Sequence, residues 1–336
     1  MAPPFLTVLT TPVPSESTRL TQAVRRRIRP FVKPGVPLPS QSPYPGHFAL
    51  VRSVVEGLRA IGADFNFNPK RLSELARVVY APANEALRQA AELKRRGRID
   101  YLVAGPVNAL FADECDGVLR LPETDRLIVA HPWVLELFRD APALRAKSVA
   151  CPCGVDAETW KPSGGASEKR VALVYWKSGG EAFCEQVEQI ARASGLEPRR
   201  LRSMPGEHAI FSPADYRQLL DRSAIAIFLS AFETQGLALA EAWAMDVPTL
   251  VWDPQGVAEW RGRRFQSRSS APYLTPATGL RWGAIDELGP VISEALANRS
   301  SFRPRAWVLA NMTDAICSTA LLAIIRAGVT QAGMAR

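Results

Sequence analysis

The chain has 336 residues, of which 47% are apolar, 22% charged and 8% aromatic. That is material for one large domain or two ordinary ones with packed cores, and it excludes disordered, collagen-like and disulfide-scaffold chains. The formal net charge of +8 favours anionic partners: a phosphorylated ligand, an acidic membrane surface or nucleic acid.

The first residues lack a basic stretch followed by a long apolar run, so no signal peptide is expected. Residues 5–10 read as a strand. Residues 17–29, with Arg25, Arg26 and Arg27, form a basic helix candidate ended by Pro30. Residues 30–45 are rich in Pro and Ser and read as a loop. Residues 47–61 carry helical periodicity through Phe48, Val51, Val54, Val55 and Leu58, with Gly62 as the stop. Strands are expected at 63–67, 101–104, 127–130 and 148–150. Helices are expected at 83–96, capped by Gly97, and near 133–139. Cys151 and Cys153 have no second ligand pair nearby of the kind zinc needs. The five cysteines read as reduced thiols of a cytosolic protein.

Residues 161–169 are small and polar and read as a linker. The alternation then restarts. Strands are expected at 171–175, 224–229 and 248–252, and helices at 181–193, 212–223 and 236–245. The apolar stretch 315–325 stops at Arg326 and is expected to be too short for a bilayer, which takes about 20 residues. Strands that read as continuous apolar runs belong to parallel sheets covered on both faces. Two such series imply an α/β chain of two doubly wound, Rossmann-like domains with ligands bound in the cleft between them, outside the carboxyl ends of the strands.

The chemistry concentrates in residues 230–251, directly after a strand. Gly236 opens a helix, lets backbone approach closely and leaves unpaired N–H groups at a positive dipole end, which suits phosphate. Glu233 in the preceding loop would accept hydrogen bonds from hydroxyls. Glu241, one turn beyond Leu237 on the same face, would hold a ribose diol. Phosphate-binding amides between two hydroxyl-binding carboxylates are what a sugar nucleotide requires.

This segment resembles the Glu-x7-Glu motif of retaining glycosyltransferases of the GT-B fold, the group 1 family. The usual form is close to Ser-x-x-Glu-Gly-Phe-Gly-Leu-x-x-x-Glu-Ala-Met-Ala-x-Gly-x-Pro-Val-Val. The chain keeps Ser230, Glu233, Gly236, Leu237, Glu241, Ala242, Ala244 and Pro248. It departs at Thr234, Gln235, Trp243 and Asp246; Asp246 stands for a helix-terminal Gly and tolerates the left-handed conformation better than most residues. Gly154, Val155, Asp156 and Pro162 resemble the family's segment before the interdomain linker. Residues 128–138 resemble its Ser-Glu-Trp-Val segment. Gly46 and His47 resemble its amino-terminal glycine loop, though about forty residues separate them from the first strand.

The resemblance implies an acceptor-side domain at 1–162, a nucleotide-sugar domain at 163–304 and a helix at 305–336 returning to the first domain. It implies transfer of a hexosyl unit from a nucleotide sugar to an acceptor hydroxyl, with retention. Glu233 would hold donor-sugar hydroxyls, the amides of Gly236 and Leu237 the diphosphate, and Glu241 the ribose. Lys177 matches the place of a basic residue on the diphosphate; where the family has a second, this chain has Gly179, Gly180 and Glu181. His131 is a further catalytic candidate, Gly46 and His47 candidates at the acceptor, and residues 269–275 match a loop approaching the donor. No metal and no resident cofactor are expected. The expected partners are the donor and a saccharide or lipid-linked acceptor, with peripheral contact at the inner face of a membrane through residues 17–29 and no nucleic acid. An epimerase on the same fold and a non-catalytic nucleotide-sugar-binding protein are the alternatives.

Overall fold

The computed structural model describes residues 4–15, 48–107, 109–164, 169–203 and 212–334. The basic stretch 17–29, Gly46, His47 and the linker's centre lie outside the described residues. The chain divides into two compact units, Met1–Cys151 with Ser318–Arg336, and Pro152–Cys317.

In the first unit, six parallel strands form one sheet: β1 (Leu6–Val8), β2 (Phe65–Phe67), β3 (Val78–Ala81), β4 (Tyr101–Ala104), β5 (Arg126–Val129) and β6 (Ser148–Ala150), in the order β2-β1-β3-β4-β5-β6. β3 and β4 are buried along their whole length, as strands covered on both faces must be. The helix Phe48–Ala60 turns Leu50, Val51, Val54, Val55 and Leu58 inward, and Asn84–Arg95 does the same with Ala86, Leu87, Ala90 and Ala91. Two local differences from the sequence-based expectation appear. β3 is an added strand, four residues long and closed by Pro82. The segment expected as an α-helix near 133–139 is the 3-10 turn sequence Pro132–Phe138.

The chain's last helix, Asp314–Met334, packs on this sheet from Ser318 onward. Ser318 Oγ donates to the carbonyl of Val54 (3.4 Å), and Arg326 lies 5.6 Å from the Phe5 ring centre. Gly328 lies so close to Tyr101 that a Cβ there would stand 1.9 Å from the phenol oxygen. At 21 residues the helix is long and apolar enough, by length and composition, to cross a membrane, so the expectation that this stretch is too short does not hold: the helix runs on past Arg326.

In the second unit, five parallel strands take the order β13-β10-β9-β7-β8: β7 (Val171–Trp176), β8 (Glu197–Arg202), β9 (Ser223–Leu229), β10 (Thr249–Trp252) and β13 (Gly279–Trp282). A separate antiparallel hairpin, β11 (Val257–Trp260) and β12 (Arg263–Gln266), is inserted between β10 and β13. β8 escapes a hydropathy reading because it is an edge strand: it carries Pro198 and three arginines and buries only Leu201.

Two boundaries differ from expectation. The first crossing between units falls at Cys151/Pro152 and not at 162, because residues 152–160 are built into the second unit. Cys153 is hydrogen-bonded to Gln235, and the Trp160 ring packs on Tyr216 at 5.5 Å. The expected closing helix from 305 is two helices. Pro304–Asn311 stays in the second unit, with Trp307 edge-on to Trp243 at 5.4 Å, and the crossing back comes at Cys317/Ser318. The segments at the two crossings are hydrogen-bonded: Val155 N–H donates to the Met312 carbonyl (2.9 Å) and Asp314 N–H to that of Val155 (3.2 Å). A side chain at Gly154 would collide with the Asp314 backbone, its Cβ 2.4 Å from Cα.

Arg305 joins the separate pieces of this unit. Its guanidinium donates to the carbonyls of Ala244 (2.6 Å), Trp160 (2.9 Å) and Ala157 (2.9 Å), and its backbone N–H to Asp246 Oδ1 (3.1 Å). Hydrogen bonds from a charged donor contribute about 1.5–3 kcal/mol each, less for the share that water would replace. Arg305→Ala should lower stability by about 2–4 kcal/mol, and Arg305→Lys should restore only part, since an ammonium cannot span three carbonyls. Scanning calorimetry of the three proteins checks this.

Candidate functional site

The reversal of strand order in the second unit falls between β7 and β9, neighbours in the sheet whose chains leave to opposite sides. Loops at the carboxyl ends of such a pair diverge and leave an opening. Lys177 is the first residue after β7, and its N–H, like that of Ser178, donates to the Leu229 carbonyl at the end of β9 (2.9 Å each). Residues 230–236 follow β9. The two loops bring Lys177 Nζ to 2.6 Å from Glu233 Oε1. Ser230 Oγ donates to the Phe232 carbonyl (2.8 Å) and lies 3.1 Å from the same Glu233 oxygen. Burial pulls the Lys177 ammonium down, but the Glu233 carboxylate beside it outweighs this and raises its pKa above the ordinary lysine value.

Gly236 caps the helix Leu237–Ala244 with φ +80°, a left-handed conformation; a Cβ there would also meet Leu239 Cδ1 at 2.7 Å. The helix therefore starts abruptly, with its N–H groups directed toward the Glu233 loop. It is secured at both ends. Tyr216 Oη donates to the Ala238 carbonyl in the first turn (2.7 Å). At the other end, Asp246 N–H donates to the Trp243 carbonyl (2.9 Å) and Val247 N–H to that of Ala242 (3.0 Å), a Schellman closure with Asp246 at φ +57° in the usual glycine position.

Five of the sequence-predicted residues, Lys177, Glu233, Gly236, Leu237 and Glu241, thus fall on neighbouring loops and one helix of the second unit. His131 belongs to the first unit. Its Nδ1 accepts the Trp133 N–H (3.2 Å) and caps the 3-10 segment, which leaves the proton of the neutral ring on Nε2. Three residues had no signal in the sequence pattern. Tyr175 on β7 is pushed above the ordinary tyrosine pKa by burial first. A hydrogen bond with Ser203 and the Lys177 charge oppose that rise, and the charges of Glu233 and Glu241 add to it, so all three candidates act on this one phenol. Gln235, one of the departures from the family motif, is buried and pairs with both backbone groups of Cys153: Oε1 accepts its N–H (2.9 Å) and Nε2 donates to its carbonyl (2.7 Å). The third, Asp253, follows β10 and holds the loop after the hairpin.

The five cysteines form no disulfide, and burial pushes the Cys151 thiol up to about 11, which favours its protonated form near neutral pH. Among the described residues no group of three or more His, Cys, Asp or Glu side chains is gathered.

Replacing Gln235 by Leu keeps the volume but strands a buried N–H and a buried carbonyl of Cys153. Each unsatisfied group costs about 1–3 kcal/mol. The urea midpoint of the second unit should fall accordingly, by about 2–4 kcal/mol in stability, with Gln235→Glu no better. A second expectation concerns His131, whose pKa burial lowers below the ordinary value. The unfolded chain takes up this proton before the folded one does. The histidine's contribution is therefore complete above about pH 6.5 and is lost on acidification below it. Urea titrations at pH 7.5 and 5.5 should show a drop that His131→Asn abolishes.

No family model matches the chain, and no curated protein matches it in sequence. Solved structures do. Sucrose-phosphate synthase of Thermosynechococcus elongatus aligns with a TM-score of 0.56 at 11% identity, over 98% of this chain and 100% of that one. HepE of Anabaena in complex with UDP-glucose aligns at 0.55 and 12%, over 96% and 99%. The catalytic domain of starch synthase IV of Arabidopsis thaliana, bound to ADP and acarbose, aligns at 0.54 and 10%, over 83% and 76%. The likeness is one of architecture, two Rossmann-like units in sequence, and the chain has the GT-B fold of these glycosyltransferases.

Proposed function

We propose that this protein is a hexosyltransferase that moves a sugar from a nucleotide-sugar donor to an acceptor hydroxyl with retention of anomeric configuration. The observation that carries the reading is the Lys177–Glu233 pair, 2.6 Å apart at the strand-order reversal, beside the helix opened by Gly236. The neighbouring folds support it, since HepE is seen with UDP and with UDP-glucose and the starch synthase with ADP.

In this reading the N–H groups of Gly236 and Leu237 and the ammonium of Lys177 hold the diphosphate and stabilise the charge that grows on it as the sugar departs. Glu233 holds hydroxyls of the donor sugar, and Glu241 the ribose. Until a donor arrives, Lys177 and Glu233 neutralise each other, which keeps both charges tolerable in a half-buried loop. With no second base assigned to the opposite sugar face, the departing diphosphate takes the acceptor proton on the face it leaves. The donor is a substrate, and the scheme uses no resident cofactor. His131 would act through Nε2 on the acceptor. The acceptor is a saccharide or a lipid-linked molecule, and in the second case it would bring the chain to the cytoplasmic face of a membrane.

A thermal-shift screen against UDP-, ADP- and GDP-sugars should raise the melting temperature with at least one of them. With that donor, Glu233→Gln should lower kcat by roughly 100-fold, the scale for losing a group that acts in the transition state, while the nucleotide Kd changes little. Lys177→Ala should weaken the nucleoside diphosphate and spare the nucleoside; equal losses would remove Lys177 from the phosphates. The coupling constant of the product's anomeric proton decides the stereochemistry, and inversion would overturn the assignment of Glu233.

A further inference from the structure

The hairpin insertion between β10 and β13 is largely exposed and meets the loop that carries Glu233 through half-buried rings. Its two-residue tip, Arg261 and Gly262, has φ +50° and +78°, the left-handed pair that suits a tight hairpin. Trp260 and Phe265 on one face meet the Phe232 ring edge-on, at 6.1 and 5.0 Å. Phe232 immediately precedes Glu233. A second contact fixes Glu233 itself: its backbone N–H donates to the Ser269 carbonyl in the loop that follows the hairpin (3.0 Å). Glu233 is therefore gripped from the backbone and from its neighbouring ring by one inserted element.

The base of that element is closed by Asp253. Its side chain is only 2% exposed. Oδ1 accepts the Ser270 N–H (3.1 Å), and Oδ2 accepts from Arg281 Nε on β13 (3.1 Å). Arg281 also donates to the Ala271 carbonyl (2.9 Å), so the acid and the arginine together hold residues 270 and 271 against the sheet. Ser269 Oγ accepts the Ala271 N–H (3.0 Å), which fixes the carbonyl that receives Glu233. Asp253 itself is anchored by its N–H to the Trp282 carbonyl (2.9 Å).

We propose that Asp253, through Arg281 and the 269–271 loop, is a positioning residue for Glu233. This rests on the reading of Glu233 as a ligand of donor-sugar hydroxyls and extends it. Asp253 touches no substrate. It sets where the Glu233 carboxylate stands relative to the phosphate-binding amides, and so governs the affinity for the sugar half of the donor but not for the nucleotide half. Asn at 253 can keep its one oxygen on the Ser270 N–H only by turning its NH2 toward the Arg281 guanidinium, donor against donor, which loosens the loop without emptying its place.

The test measures, by calorimetric titration, the Kd of the nucleotide sugar that gives the largest thermal shift and the Kd of its bare nucleoside diphosphate. It does so for the unaltered chain, Asp253→Asn, Glu233→Gln and the double variant. Asp253→Asn should weaken the nucleotide sugar about tenfold, near 1.4 kcal/mol, and the nucleoside diphosphate less than about twofold. In the Glu233→Gln background the same substitution should change neither, because the effect passes through Glu233. Should Asp253→Asn fail to fold, Arg281→Gln is put through the same cycle and must give the same split. Equal loss of both ligands, or a full additional loss in the Glu233→Gln background, overturns the inference while leaving the proposed function standing. Absence of any nucleotide-sugar binding by the unaltered chain overturns the proposed function and this inference with it.

Discussion

The candidate site of the second unit follows from one constraint, the reversal of winding between β7 and β9. Two parallel strands lie side by side, yet the chain after one turns to one face and the chain after the other turns to the opposite face. No loop can cover the carboxyl ends of both. Polar backbone at those ends must then be satisfied by the loops themselves, and the Leu229 carbonyl accepting from Lys177 and Ser178 does part of this. The same opening is where a cation and an anion from different loops can meet while still in reach of water. Lys177 and Glu233 are such a pair, their side chains 31% and 16% exposed.

The helix Leu237–Ala244 has only eight residues, too few to be stable on its own. Its persistence is a tertiary effect. Trp243 is fully buried with its indole N–H donating to Thr249 Oγ1 (3.0 Å), Tyr216 grips the first turn, and Arg305 and Asp246 grip the last. The amino end can be presented without side-chain capping because the opposite end is held by a charge of the sign its carbonyls attract. Arg305 and Gly236, 69 positions apart in sequence, thus serve a single short element.

Much of this was legible in the sequence, for reasons that can be stated residue by residue. Runs such as 101–104 and 224–229 carry no charged or strongly polar side chain and could only be covered strands; the Glu-x7-Glu resemblance pointed to the loop after β9, and Asp246 does adopt the left-handed conformation its place in the pattern required. What stayed hidden lacks a local pattern. β8 is charged because an edge strand buries one side chain in six. β13 has only four residues and begins with Gly279. Gln235 read as a departure from a motif, and its partner is a backbone 82 residues away. Asp253 belongs to no local pattern, since an acid's partner, Arg281, is identified only by the sheet that carries it. The boundary at 161–169 was drawn on composition, which marks a polar loop but cannot say on which side of a domain crossing it lies.

The two crossings at Cys151/Pro152 and Cys317/Ser318 have a consequence for biosynthesis. The first unit is the earlier to leave the ribosome, yet its sheet is covered in part by residues after Ser318, which emerge only when the whole second unit has been made. Leu321, Leu322 and Ile325 are buried there, so their counterparts on the sheet stay uncovered throughout that interval. The nascent first unit must wait, partly open, for roughly the time needed to add 166 residues, about 8–33 s at 5–20 residues per second. Exposed apolar surface on that timescale is what chaperones bind, and premature termination anywhere in the second unit would leave the first one permanently unfinished.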